Sequence, residues 1–222
     1  PTAITSGLDN AYTTDLWTAK AKQVIQDRHS FNTNNPESAK PFFLYLAYDA
    51  PHAQLQVPTQ AYPSGLGASA GLTWPLNTNS GTNDSWIHPD YSALSNAAAR
   101  HATMVRRVDR SMGDILQTLR DLGIDEETLV IFTSDNGTHD ESGIGGPVAH
   151  NPQNFDSYGE LEGIKRDLWE GGIRMPTFAW WPSQIGDNNP ATDGLNSTRP
   201  SAFWDWMPTI VDAAGLTPPA WT

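Results

Sequence analysis

A chain of 222 residues that is 38% apolar and carries nine tryptophans can bury the core of one substantial α/β domain, and this composition argues against a disordered segment. The formal charge of −12, from 25 acidic and 13 basic residues, argues against nucleic acid or an anionic membrane surface as the main partner. The absence of cysteine removes disulfides and Cys-based zinc sites, and no apolar run of about 18 residues predicts a membrane span.

The chain alternates helix-like and strand-like segments. Residues from about Thr14 to Arg28 are predicted helical, with Thr14 as N-cap and Leu16, Ala19, Val24 and Ile25 on an apolar face. A polar stretch around Asn32–Pro36 follows, then the continuous apolar run Phe42–Tyr48, which has the length and aromatic content of a strand buried on both faces of a parallel sheet. Residues 63–90, rich in Gly, Ser, Thr, Asn and Pro, form a long loop holding Trp74, Trp86 and His88, suited either to stacking on a sugar or to packing on the domain.

A second helix is predicted from about Leu94 to Leu122, with Val105, Val108, Met112, Ile115, Leu116 and Leu119 at helical spacing and Gly123 past its end. Arg106, Arg107 and Arg110 fall mostly outside that stripe and are expected on a solvated, salt-bridged face. Thr128–Ser134 and Thr177–Trp181 are two further buried-strand candidates. Between them runs a glycine-rich loop, from Asn136 to about Gly163. A last helix is expected to open near Asp205, to tolerate Pro208 in its first turn and to stop at Gly215.

The chemistry-bearing residues follow the strands, where ligands bind in open α/β sheets. Asp49-Ala50-Pro51-His52 ends the first strand candidate and Asp135-Asn136-Gly137 ends the second, so His52, Asp135 and Asn136 are expected on one sheet edge. Carboxylate and amide oxygens there suit a hard cation, and a histidine suits proton donation or anion contact. Singly these signals are ordinary: a histidine after a strand is commonly a cap or core residue, Asp-Asn-Gly is commonly a turn, and Lys165 reads as a surface lysine.

Together they are distinctive. Ala50-Pro51-His52, Ser134-Asp135-Asn136-Gly137, Gly163-Ile164-Lys165 and Trp169-Glu170-Gly171-Gly172-Ile173-Arg174-Met175-Pro176 resemble, in order and spacing, the type I sulfatase family. Met104–Gly123, Met207-Pro208-Thr209-Ile210 and Ala214-Gly215 extend the likeness to nearly the whole chain, from about Tyr12 to Leu216.

The resemblance implies an α/β fold of the alkaline-phosphatase/sulfatase kind, a mostly parallel sheet sandwiched by helices, incomplete here. It implies one calcium ion held by Asp135 and Asn136, with Asp135 also touching the nucleophile. Lys165 and His52 would bind the sulfate, and His52 would act as general acid at the leaving oxygen. His139 and Arg174 are weaker substrate-contact candidates, with Arg174 expected mainly to pair with Glu170. The nucleophile implied is a formylglycine made from a Cys/Ser-x-Pro-x-Arg motif, which does not occur in these residues.

Residues 1–222 therefore read as an internal part of one catalytic domain, without the nucleophile segment or the C-terminal subdomain. The expected substrate is a sulfated small molecule or sugar, and the expected location is extracytoplasmic. Two alternatives stay open: a phosphatase or phosphonate monoester hydrolase of the same superfamily, and a catalytically inactive sulfatase-like binding protein. Oligomeric state is not addressed by any motif.

Overall fold

A computed structural model describes residues 11–75, 85–141, 149–185 and 194–218. Its elements are α1 (Thr13–Asn34), α2 (Asn96–Asp121), β1 (Val130–Thr133), the one-turn α3 (Glu170–Ile173), β2 (Thr177–Trp180) and α4 (Trp206–Ala213). Helix α1 runs past its predicted end. Thr33 Oγ1 and Asn35 Nδ2 each donate to the carbonyl four residues back, and Pro36, which disfavours helix in the residue before it, sets the stop. Helix α2 ends as expected beside Gly123, with the Ile124 N–H donating to Leu119 O at 3.1 Å.

One apolar centre forms where the two long helices meet the sheet. Ala21 and Ile25 of α1 and Ile115 and Leu119 of α2 are buried together, and Phe42, Leu44, Leu46, Val130 and Trp180 pack against them. Burying a side chain such as Ile25 or Leu119 contributes roughly 1.5–3 kcal/mol. A smaller cluster of Leu55, Val57 and Met104 lies beside Ala50 and Ile87, under the segment that carries His52.

The rest of the α1–α2 contact is polar, which apolar periodicity did not anticipate. Thr103, Arg107, Ser111, Asp114 and Thr118 form a buried stripe on α2, facing Thr14, Asp15, Thr18 and Lys22 on α1. Arg107 is not on a solvated face: it is 3% exposed and grips the fully buried Asp15 through Nε at 2.7 Å and Nη2 at 2.6 Å. Only Arg106 and Arg110 of the three arginines face solvent. The physical reason is that a planar guanidinium forms two parallel bonds to one carboxylate, which makes burial of the charge tolerable.

Asp114 anchors the long loop. Its Oδ1 accepts from Lys22 Nζ and from the Gly67 N–H, both at 2.7 Å; its Oδ2 accepts from Tyr62 Oη and from the Leu72 N–H, both at 2.8 Å. The approach is so close that a Cβ on Gly71 would lie 2.3 Å from Asp114 Oδ2. Trp74 lies under Lys20 Nζ at 4.6 Å from its ring centre, and Trp86 packs edge-on against His88 at 5.7 Å. The described parts of this loop are therefore docked on the domain; residues 76–84 lie outside the described ones.

The sheet departs from expectation in two ways. The ladder among the described residues is an antiparallel pair, β1 with β2, with Val130 opposite Trp180 and Thr133 opposite Thr177. A parallel return needs a full crossover, whereas among the described residues the chain between β1 and β2 contains only α3 and one short turn of loop helix, Pro152–Asn154, and comes back on the edge it left. Segment 42–48 is buried on one face rather than two: Phe42, Leu44 and Leu46 enter the core while Phe43 and Tyr45 are exposed. Phe178 of β2 is likewise exposed, because among the described residues helices cover only one side of these segments.

Replacing Asp114 tests the polar interface. Asp114→Ala leaves the Lys22 ammonium buried with the Ala70 carbonyl but no counter-charge, and takes the acceptor from Tyr62 Oη and the Gly67 and Leu72 N–H groups; it is expected to cost about 3–5 kcal/mol of stability. Urea unfolding of the whole protein should show the midpoint falling with little change in slope.

Candidate active site

Three loops meet at the carboxyl end of β1. The first is 49–54, following the extended segment 42–48. Thr13 Oγ1 fixes its start by donating to Asp49 at 2.9 Å, and its His52 side chain is about half exposed. The second is Asp135–Glu141, which begins just beyond the Thr133–Thr177 pair, whose hydroxyls lie 2.9 Å apart. The third is 163–174, which returns the chain to β2.

Backbone contacts lock the second loop to the third. The Gly137 N–H donates to Gly172 O at 2.9 Å and the Lys165 N–H donates to Thr138 O at 2.6 Å. A Cβ on Gly137 would lie 1.9 Å from Gly171 O, so this crossing needs a residue without one. The two glycines of the Trp-Glu-Gly-Gly motif thus act as a buried backbone socket. Arg174 pairs with Glu170 at 3.6 Å, with both side chains largely exposed, so it orders this turn.

The socket delivers Lys165 to His52. Lys165 Nζ lies 2.8 Å from His52 Nε2, across 113 positions of sequence. His52 Nδ1 bonds to Ala53 O; a carbonyl only accepts, so Nδ1 carries a hydrogen. The ammonium of Lys165 only donates, so Nε2 offers its lone pair and His52 is the neutral Nδ1–H tautomer.

Glu141, from the glycine-rich loop that opens at Asn136, completes this cluster. Its Oε2 lies 3.4 Å from both Lys165 Nζ and His52 Nε2, and its Oε1 ion-pairs with Arg166. Burial raises the carboxyl's pKa, but Lys165, Arg166 and His52 outweigh that and hold it below the usual range. No spacing signal links positions 141 and 165; the contact exists only because the loops cross.

Behind the cluster, four of the chain's six histidines converge. His139 is buried; its Nε2 donates to Pro51 O at 3.3 Å and its Nδ1 accepts from the Glu141 N–H at 3.1 Å. Both ring nitrogens thus face backbone, tying the first loop to the second. His139 lies 5.8 Å from His52 between ring centres, and 5.1 Å from His150. His150 is 2% exposed, stacks on His101 at 3.8 Å, and has no hydrogen-bond partner at either ring nitrogen among the described residues. Burial and the neighbouring imidazoles push His101 down to about 3, and burial together with His139 pushes His150 down to about 4; His139 is also lowered, chiefly by burial.

Asp135 and Asn136 occupy the end of β1 as expected. Asp135 is exposed and makes no hydrogen bond or ion pair among the described residues, while Asn136 is half-buried with its Nδ2 donating to Gly137 O at 2.9 Å. That bond leaves the Asn136 amide oxygen as the atom that could face a cation. A free carboxylate beside an amide oxygen fits a hard cation in kind. Among the described residues no group of three or more His, Cys, Asp or Glu is placed to hold a metal, so these two alone would supply only part of a shell.

The chain matches the family model described as Sulfatase over residues 3–216. It is similar to the N-acetylgalactosamine-6-sulfatase of Mus musculus, 31% identical over 207 residues, covering 93% of this chain and 30% of that protein. It is also similar to the uncharacterized sulfatase YdeN of Escherichia coli (strain K12), 31% identical over 180 residues, covering 81% of this chain and 25% of that one. Among solved structures, Ps i-CgsB in complex with k-i-k-neocarrahexaose superposes with a TM-score of 0.57 at 24% identity, over 93% of this chain and 35% of that one, a likeness of fold. The chain spans less than a third of the length of these curated relatives.

The histidine stack makes stability depend on pH. His101, His139 and His150 have folded-state values below the ordinary 6.5, so the unfolded chain binds more protons below that value. Stability is therefore full above about pH 6.5 and falls as pH drops toward 4: Asp140 and Glu141 offset the lowering of His150 and His139 only in part, and the lowered carboxyl of Glu141 adds to the loss at the acid end. Unfolding midpoints measured from pH 7.5 to 4.5 should show this slope, and His150→Phe should flatten it.

Proposed function

This chain belongs to the sulfatase family, and on that premise we propose that the whole protein hydrolyses the sulfate ester of a sulfated carbohydrate. The observation that carries the reading is the 2.8 Å contact between Lys165 Nζ and His52 Nε2, made on the edge where Asp135 and Asn136 stand. A sulfate ester is already anionic, and its transition state adds charge to the equatorial and bridging oxygens. Cations fixed in advance at those oxygens lower the barrier without reorganising during reaction.

In a chain of net charge −12, Lys165 is the local cation that meets the sulfate oxygens, and the Thr138 bond to its backbone fixes where it sits. His52 serves the leaving oxygen. Its Nδ1–H is committed to Ala53 O, so a second proton can reside only on Nε2, the atom facing Lys165 and Glu141. Nε2 is thus the atom that would deliver a proton to the departing sugar oxygen. Asp135 and Asn136 would hold a calcium ion through carboxylate and amide oxygens, supplying Lewis-acid stabilisation and a fixed position for the nucleophile. The attacking oxygen would come from a formylglycine hydrate on a residue outside this chain.

The printed names of the relatives favour a carbohydrate sulfate: one acts on N-acetylgalactosamine-6-sulfate by its name, and one structural neighbour is a complex with neocarrahexaose. Assay of the whole protein on 4-nitrophenyl sulfate and 4-nitrophenyl phosphate, with and without calcium chelation, tests the reading. We expect sulfate turnover that chelation abolishes, and Lys165→Ala should lower kcat/KM by about 10²–10³, equivalent to roughly 3–4 kcal/mol. Phosphate turnover exceeding sulfate turnover by a wide margin would overturn it in favour of a phosphatase.

A further inference from the structure

We propose that Glu141 is a specificity-determining residue, which makes this anion site favour a singly charged sulfate ester over a doubly charged phosphate ester. The inference rests on the reading that Lys165 and His52 form the sulfate site, and adds what that reading lacks, a reason for a carboxylate inside it. The two anions have nearly the same tetrahedral shape, so oxygen-directed donors alone separate them poorly. Their charge separates them: a sulfate monoester carries one negative charge, whereas a phosphate monoester carries about −1.5 to −2 at pH 7.

Glu141 is positioned to sense that difference. Its carboxylate lies 3.4 Å from both Lys165 Nζ and His52 Nε2 and is paired to Arg166. These are the groups that face it electrostatically. Glu141 thus sets one fixed negative charge beside the two cations Lys165 and Arg166. A fixed negative charge repels a bound anion in proportion to the anion's charge, so a dianion is opposed about twice as strongly. Rejection of a near-isosteric competitor by a placed repulsive group is a general route to specificity.

The backbone that carries the carboxylate is pinned. The Glu141 N–H donates to His139 Nδ1 at 3.1 Å, and Glu141 O accepts from the His150 N–H at 3.3 Å, so two neighbouring residues hold its backbone from either side. Its side chain is 13% exposed. The buried His139 and His150 thereby support the backbone of this residue.

The test is equilibrium binding of methyl sulfate and methyl phosphate, both slow to react, to the whole protein by titration calorimetry. At pH 8, where methyl phosphate is a dianion, Glu141→Gln should tighten methyl sulfate about fivefold and methyl phosphate about 25-fold, since the second charge doubles the gain in free energy. At pH 5, where both ligands are monoanions, the ratio between them should match wild type. Glu141→Asp, which keeps the charge, should retain the wild-type preference at both values. Equal gains for both ligands at pH 8, a ratio shift that persists at pH 5, or a folded Glu141→Gln protein that binds neither would overturn the proposal. The function reading fails separately: if wild type turns over neither aryl ester, the proposed activity is lost while the binding ratio still decides the role of Glu141. If Lys165→Ala alters neither affinity, the anion site is misplaced and both fall.

Discussion

The Asp114 carboxylate is the constraint on which the arrangement depends. It is wholly buried, and an ionised carboxylate in the interior persists only if its oxygens are filled by donors. Four fill them: an ammonium from α1, two backbone N–H groups from the long loop, and the Tyr62 hydroxyl. Burial first, then Asp114 itself, pushes the Tyr62 pKa upward, so the phenol stays a donor. These partners must assemble together, since each one missing leaves buried charge unanswered. Such a pair contributes little net stability over well-packed apolar residues, but it specifies register: α1, α2 and the loop dock in one way.

That register carries through to the chemistry. With α1 fixed against α2, Thr13 holds Asp49 and Tyr12 Oη donates to Gln56 O at 3.1 Å, so the loop carrying His52 is held at both ends by the start of α1. On the opposite side the Gly137–Gly171 crossing leaves no room for a side chain and sets Lys165 against Thr138. Lys165 and His52 meet because two separate constraints, one ionic and one steric, place their backbones. Flexible side chains then need to cover only the last few ångströms, which preserves the preorganisation that an electrostatic site requires.

The site also answers the problem posed by the composition. A chain with about twice as many acidic as basic residues repels anions at long range, so its attraction must be short-range and local. Lys165 and Arg166 supply it, balanced against Glu141, and the neutral imidazoles behind them add polar bulk without charge. Cations concentrated in a small volume, tempered by one fixed carboxylate, would bind an anion without making the surface generally basic.

The sequence by itself determined the family, the two long helices, α4 with its stop at Gly215, and the identity of His52, Asp135, Asn136 and Lys165 as the residues to examine. These features are legible because they lie in short local patterns: apolar periodicity, caps, and motifs of three to eight residues. Only the tertiary structure decided that Arg107 is buried, since its status depends on Asp15 on another helix, 92 positions away. Likewise, only the fold shows that segment 42–48 is covered on one face, that β1 and β2 run antiparallel, and that Glu141 sits between Lys165 and His52. Each of these depends on which distant backbone lies opposite. A periodicity reports how one element divides its faces, and is silent on what will meet them. Where the meeting surfaces are polar, as between α1 and α2 and around Glu141, burial follows from a partner's charge, and that partner is known only once the chain has folded.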